Sequence, residues 1–389
     1  MKKITLLLLL YCFSTHLITA QTNKTQKNFG ITWSGFVKTD VMFDTRQTIN
    51  AREGHFMILP ANENYSNGND INSETNFNIL SIQSRLRGTI TGPDFFGMQT
   101  SGVLEAAFFG NSNETTGEFR LRHAFVKLDN KKLQVLIGQY WNPMFITAVF
   151  PSVYSFNTGV PFQPFARNPQ IRVSTKGNVK LIGAIYTERD FKTRGASVSK
   201  SGLPQFHAQL QYNKNKTVAG LGFNYKTAQF IYNENVKSKA LVSYFKTNIR
   251  NVTWKVEGFY GENMSDVLQL GGFGLSSNDE LINNKTFSAW TEFMGDFTPH
   301  IEWGIFSGFT KNKGFDEEVI YQDGFLANTV KEAFRVSPRI GWKSGNLKIG
   351  FETEYTNAQF ANLNEANGVL NNTNKVDNIR FLITAIYKF

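Results

Sequence analysis

Cysteine is all but missing from this chain. The single Cys12 sits in an apolar N-terminal run, Ile4 to Phe13, behind Lys2 and Lys3. Ala20 then offers a small residue just before Gln21. A basic start, a short apolar stretch and a small residue at the end predict a cleavable secretory signal peptide over 1–20, too short to span a membrane as a helix. A lipoprotein signal using Cys12 is the competing reading; Tyr11 before the cysteine and the curtailed apolar run count against it. Cleavage after Ala20 removes the only thiol, which leaves no disulfide framework, no thiolate nucleophile and no cysteine metal site.

Long apolar runs are also missing. No stretch of about 20 apolar residues follows the signal, which excludes spanning helices, and mean hydropathy is −0.29. A β-barrel is the membrane solution compatible with such numbers, because each strand gives only alternate positions to lipid. Proline is scarce, at 10 residues, whereas phenylalanine reaches 36 and tyrosine 13. Aromatics in that excess suit lipid-facing strands and interfacial girdles better than a soluble Leu/Ile/Val core.

What is present is alternation. Trp33, Val37, Val41 and Phe43 oppose Ser34, Lys38 and Asp40, while Leu80, Ile82, Leu86 and Ile90 oppose Ser81, Gln83, Arg85 and Arg87. Phe206, Leu210 and Tyr212 oppose Gln205, His207, Gln209 and Gln211, and the same beat recurs after Val252, Phe334 and Leu347. Period two predicts strands with one greasy face. The chain ends on such a run, with Phe381, Ile383, Tyr387 and Phe389 on one side. A strand closing on a bare aromatic resembles the terminal strand that the barrel-assembly machinery reads, which makes Phe389 a candidate assembly signal.

Connections alternate in length as well. Short polar turns fall at 92–94, 129–131, 176–178, 213–216, 248–251, 295–299 and 344–346. Longer stretches rich in Asn, Ser and Gly lie between them at 44–75, 111–117, 142–168, 188–202, 226–237, 261–283, 311–331 and 357–375. Fifteen connections predict an all-β protein: one transmembrane antiparallel β-barrel of about 16 strands over 21–389, with short periplasmic turns and long extracellular loops.

Charge on the lipid face is costly, about 2–4 kcal/mol for Arg or Lys at the midplane, so the charged faces must line the lumen. They carry Arg85, Arg87, Arg120, Arg122, Arg172, Arg335, Arg339, Arg380 and Lys38, against fewer acids that include Glu105. A basic lumen concentrates anions, and the planar guanidinium suits carboxylate or phosphate. The alternative for each arginine is pairing with a lumen acid. Arg85/Arg87 and Arg120/Arg122 are expected to form one wall patch. The 142–168 connection differs from the other loops, with four prolines inside it and the aromatics Phe145, Phe150, Tyr154 and Phe156. It has enough apolar surface to pack, and it follows the expected fifth strand, so it is a candidate constriction loop folded into the lumen; an alternative is a place at a subunit interface or the membrane rim.

Gly35-Phe36-Val37-Lys38-Thr39-Asp40, Ser84-Arg85-Leu86-Arg87, Arg120-Leu121-Arg122-His123-Ala124-Phe125 and Gly138-Gln139-Tyr140-Trp141 resemble the first five strands of the DcaP-type porins. The resemblance is best over the N-terminal half. It implies a trimeric sixteen-stranded outer-membrane channel favouring dicarboxylates and other small anions. The segment 21–30 is too short for the periplasmic coiled-coil extension of some members.

Enzyme readings find little support. None of the five histidines forms an H-E-x-x-H pair, and His123 beside Arg122 reads as structural. No metal site or cofactor is expected. The net charge of +10, or +8 without Lys2 and Lys3, comes without a basic helix or zinc finger, so nucleic acid is not an expected partner. Two function classes remain: a passive anion-preferring porin, and a barrel-anchored surface protein or adhesin acting through 44–75 and 261–283. The expected partners are outer-membrane lipid, the assembly machinery, small anionic solutes and two further copies of the chain.

Overall fold

Backbone groups cannot stay unpaired in hydrocarbon, where each costs several kcal/mol. The alternating strands meet that demand by pairing in a ring. The computed structural model describes residues 29–389 apart from Asn111, Tyr232, Asn233 and Asn328. The expected signal peptide and Cys12 lie outside the described residues.

Sixteen antiparallel strands form the wall. They are β1 (Gly30–Asp44), β2 in two pieces (Asn76–Leu80 and Arg85–Thr91), β3 (Gln99–Phe109), β4 (Thr116–Asp129) and β5 (Leu133–Trp141). Next come β6 (Arg167–Thr175), β7 (Val179–Tyr186), β8 (Gln205–Lys214), β9 (Thr217–Gln229), β10 (Asn235–Ile249) and β11 (Val252–Glu262). The circuit ends with β12 (Lys285–Thr298), β13 (Ile301–Asn312), β14 (Val330–Ser344), β15 (Leu347–Asn364) and β16 (Val369–Lys388). Each pairs with its sequence neighbour, and β1 closes on β16 from Phe36↔Lys388 to Asp44↔Arg380. The greasy faces point outward: Trp33, Leu104, Phe206, Leu221, Phe293 and Ile383 are all exposed.

Two features depart from the expected pattern. First, β2 is interrupted at 81–84, and its exposed apolar residues change parity across the gap, from Phe77 and Ile79 to Leu86. Leu80 therefore faces inward, buried with Met42, Tyr154 and Leu382, and Ile82 packs against the same interior, so neither belongs on the lipid face with Leu86. The Ser84 hydroxyl spans the gap, accepting from Lys38 N at 3.0 Å and reaching Lys38 O at 3.3 Å. Second, the expected loop 357–375 is mostly strand. β15 and β16 continue as a tall hairpin, paired as far as Asn364↔Val369, because Ala358, Phe360, Leu370 and Val376 bury one side of it.

The apolar core lies inside the barrel, toward the long-loop end, where the 142–166 connection meets residues of other loops. Phe56, Phe109, Phe156, Phe162, Phe165 and Phe306 are all buried there. Glycine shapes the wall that receives them. A side chain at Gly308 would collide with Phe162, and one at Gly341 or Gly350 with Tyr154.

The chain terminus completes the seam. Phe389 and Gly35 exchange backbone hydrogen bonds of 3.0 and 3.2 Å, and the Phe389 ring lies against Gly35. Deleting Phe389 removes this pair from the closing edge. The yield of heat-modifiable barrel is expected to fall by more than the roughly 1.5–3 kcal/mol of one buried Phe would suggest, as read by semi-native electrophoresis. Normal yield would show the seam closes without it.

Candidate functional site: an asymmetric lumen

The 142–166 connection leaves β5 and crosses the lumen. Its path is fixed by carboxylates on the opposite wall. Ser152 N donates to both oxygens of Glu292, at 2.9 and 3.1 Å, and Tyr154 N donates to Glu352 at 2.6 Å. The Tyr154 hydroxyl donates to Glu302 at 2.6 Å, and Asn157 Nδ2 to Glu354 at 2.8 Å. Cations hold its carbonyls: Lys38 Nζ donates to Tyr154 O at 2.7 Å, and Arg335 to Val160 O at 2.9 Å. Charge-assisted bonds of this kind are about twice as strong as neutral ones. Of the four candidate constriction aromatics, Phe145, Tyr154 and Phe156 are buried, while Phe150 is 40% exposed.

The same wall is internally matched in charge. Arg339 and Lys255 share Glu292, each at 2.8 Å, Arg380 forms a pair with Asp44 at 2.6 Å, and Lys348 meets Glu302 at 2.6 Å. Lys38 lies 3.0 Å from Asp40, and Arg335 lies 3.9 Å from Glu354. This corrects the sequence reading for part of the set. Arg335 and Arg380 point inward but are closed over by the crossing loop, with exposures of 0% and 1%, and Lys38, at 4%, borders only a cavity beside that loop. Arg339 is nearly as buried, although its edge reaches a cavity at the short-turn end. Their carboxylate partners Asp44 and Glu292 went unrecognised in the sequence, although both fall on inward positions of the period-two pattern.

The wall from β2 to β6 is different. Arg122, Arg85 and Arg87 converge on one carboxylate, Glu105, at 2.9, 3.4 and 3.5 Å. Arg120 does not join them; it pairs with Asp190 at 2.6 Å, beside Arg167 at 2.7 Å. The single patch expected from the sequence is thus two clusters. A bulge in the β3–β4 ladder between Glu105↔His123 and Ala106↔Leu121 turns both Arg122 and His123 inward beside Glu105. Arg120, opposite Ala107 one pair nearer the long-loop end than Leu121, is taken instead by Asp190 from the β7–β8 connection. His123 lies 3.8 Å from Glu105, packed on Tyr140 and Trp141.

Two arginines that sequence reasoning missed complete this wall. Arg167 follows the crossing loop at the start of β6. Arg52 reaches in from the β1–β2 connection, where no local pattern marks it. Arg52, Arg122 and Arg167 stack on Phe109, Trp141 and Phe165 at 4.5–6.0 Å, a favourable arrangement for cations held out of water. Burial, with the like charges of Arg167 and Arg120, pulls the Arg52 pKa down to about 9 against the opposing effect of Asp190. Both Nη atoms of Arg52, and Nη1 of Arg122 and of Arg167, are buried without an acceptor among the described residues.

Arg85 and Arg87 open onto a vestibule of about 1250 Å³ at the short-turn end, which Arg172, Lys127, Lys180 and Glu105 also line. Arg172 has no carboxylate partner among the described residues; it donates to Gln170 and to Trp141 O, both at 2.9 Å. A second cavity of about 400 Å³, between the crossing loop and β1–β2, adjoins Arg85, Arg122 and Lys38.

A closed sixteen-stranded barrel with short turns at one end, long loops at the other and one loop folded across its lumen has the fold of the outer-membrane porins. It superposes on the outer membrane channel DcaP of Acinetobacter baumannii with a TM-score of 0.74 and 14% identity, over 96% of this chain and all of that one. An anion-selective porin from Comamonas acidovorans gives 0.59 and 11% over 93% of this chain and all of the other. The trimer form of OmpT from Vibrio cholerae gives 0.56 and 12%, again over 93% and 100%. At such identities the likeness is one of fold, and it agrees with the resemblance carried by the N-terminal strand motifs. No family model and no curated protein matches the chain.

The crossing loop offers a direct test of its seating. Gly341→Leu fills the space that Tyr154 occupies, and Glu352→Ala removes the acceptor of Tyr154 N. Both variants are expected to keep the barrel and to expose the 151–157 segment to protease, seen as new cleavage fragments of otherwise heat-modifiable protein. Unchanged protection would mean the loop is held elsewhere.

Proposed function

We propose that the chain is an outer-membrane porin, a passive and non-catalytic diffusion channel that prefers small anions such as dicarboxylates. One observation carries the reading. On the β2–β6 wall Arg85, Arg87 and Arg122 share Glu105, Arg120 and Arg167 share Asp190, and Arg52 beside them reaches no carboxylate among the described residues, whereas the opposite wall is matched and occupied by the crossing loop. A solute carrying carboxylate or phosphate can reach Arg85, Arg87 and Arg172, which line the open vestibule, and the arginine excess behind them raises its local concentration there. The anion-selective neighbour of like fold supports the same reading, and the trimeric one supports assembly as a homotrimer. Export to the outer membrane through a signal peptide cleaved after Ala20 belongs to the proposal, and N-terminal sequencing of the mature protein tests it.

Planar-bilayer recording tests the channel. Replacing Arg85, Arg87, Arg120 and Arg122 together by Gln is expected to move the reversal potential in a salt gradient away from anion preference. The effect should be strong at low salt and screened at 1 M, where the Debye length is about 3 Å. Glu105→Gln should do the opposite, because it frees three guanidinium groups from their shared partner. Among single changes Arg87→Gln should exceed Arg122→Gln, since Arg87 is 41% exposed and Arg122 only 3%. Unaltered selectivity in the quadruple variant would make these arginines wall partners only. A folded barrel with no conductance would shift function to the long loops, as a surface anchor or adhesin.

A further inference from the structure

The outer surface carries a charged feature that conduction does not use. On β10 the outward positions run from Ile249 at the short-turn end through Phe245 to Leu241, and then change to Lys239 and Lys237. Ten residues from Ile249 to Lys239 rise about 25 Å, at about 3.3 Å per residue and a tilt near 40°. That is the height of the apolar band of an outer-membrane barrel, so Lys239 stands at its upper border. Neighbouring strands change at the same level. Tyr260 and Glu262 on β11 lie opposite Phe287 and Lys285 on β12. Lys311 on β13 lies opposite Phe287, and Lys313 follows it.

These lysines are unequal. Lys285 pairs with Asp316, and Lys311 with Glu332 at 3.7 Å. Lys237, Lys239 and Lys313 are exposed and have no carboxylate within 4 Å among the described residues. Lys313 Nζ leans back over the Tyr260 ring at 5.6 Å, which brings the loop-borne charge down to the aromatic level. The sector therefore presents ammonium groups directly above a greasy wall. A soluble anion would use only the upper half of that surface. A lipid with a phosphate at its head uses both, with chains against Leu241 and Phe287 and phosphate against the lysines, whose rotatable donors suit a compact anion.

We propose that the long-loop rim between β10 and β13 is a binding site for the phosphorylated head group of a membrane glycolipid, held by Lys237, Lys239 and Lys313. The inference rests on the outer-membrane placement of the barrel and is independent of its ion selectivity, so either can fail alone.

The test titrates the purified, detergent-folded full chain with diphosphoryl lipid A, a doubly phosphorylated glucosamine lipid, and with its dephosphorylated form, reading bound lipid by native mass spectrometry. The phosphorylated lipid is expected to bind about tenfold or more tightly than the dephosphorylated one, from its attraction to juxtamembrane lysines. The K237Q/K239Q/K313Q variant, checked for heat-modifiability, should bind both forms equally weakly. Lys131→Gln with Lys132→Gln, at the short-turn end, should change nothing. Equal binding of the two lipids to the parent, or undiminished preference in the triple variant, overturns the proposal. Displacement of the lipid by inorganic phosphate alone also overturns it, since the site would then belong to a free anion.

Discussion

Every backbone amide in a membrane-spanning wall needs a partner within the wall, and for a sheet that demand has no solution short of closure. Closure here depends on the edge between β1 and β16, which joins residues more than 330 positions apart, Asp44 to Arg380 among them. The ion pair between those two side chains sits on the lumen side of the same edge. Backbone pairing and a buried charge pair thus secure the seam together, while Phe389 against Gly35 secures its lower end.

Closure also creates an interior that something must fill. The crossing loop fills one side of it and takes up the carboxylates of β12, β13 and β15, so the cations of that half are spoken for. The remaining half keeps its arginine excess because its own acids are few. The asymmetry of the lumen arises from where the loop lands, and net charge alone does not contain it. Of the inward arginines, those under the loop brace the wall, whereas Arg85, Arg87 and Arg172 face open volume.

Strand count, connection order and the lipid-facing residues were legible in the sequence because they rest on period two and turn chemistry, both local. Legibility failed where a local irregularity reverses parity. The gap at 81–84 moved Leu80 inward, and the β3–β4 bulge put Arg122 and His123 on the same inward side. It failed again where a distant loop supplies the partner: Asp190 and Arg52 come from connections, and no spacing in the chain ties them to Arg120 or Phe109. Asp44 and Glu292 were within reach, since each sits on an inward position of an alternating run. The tall β15–β16 hairpin was hidden by its asparagines, which read as loop although Phe360 and Leu370 bury one of its sides.

The anchors of the crossing loop also impose an order of events. A segment encoded at 142–166 finds its acceptors on Glu292, Glu302, Glu352 and Glu354, all translated long after it. Until those strands exist, the loop's aromatics and amides have no seat, and the glycines that make room for Tyr154 and Phe162 have not been made. Seating the loop therefore requires β12, β13 and β15 to be in the wall first. Before that, the segment's aromatics have no apolar surface of the wall to cover them.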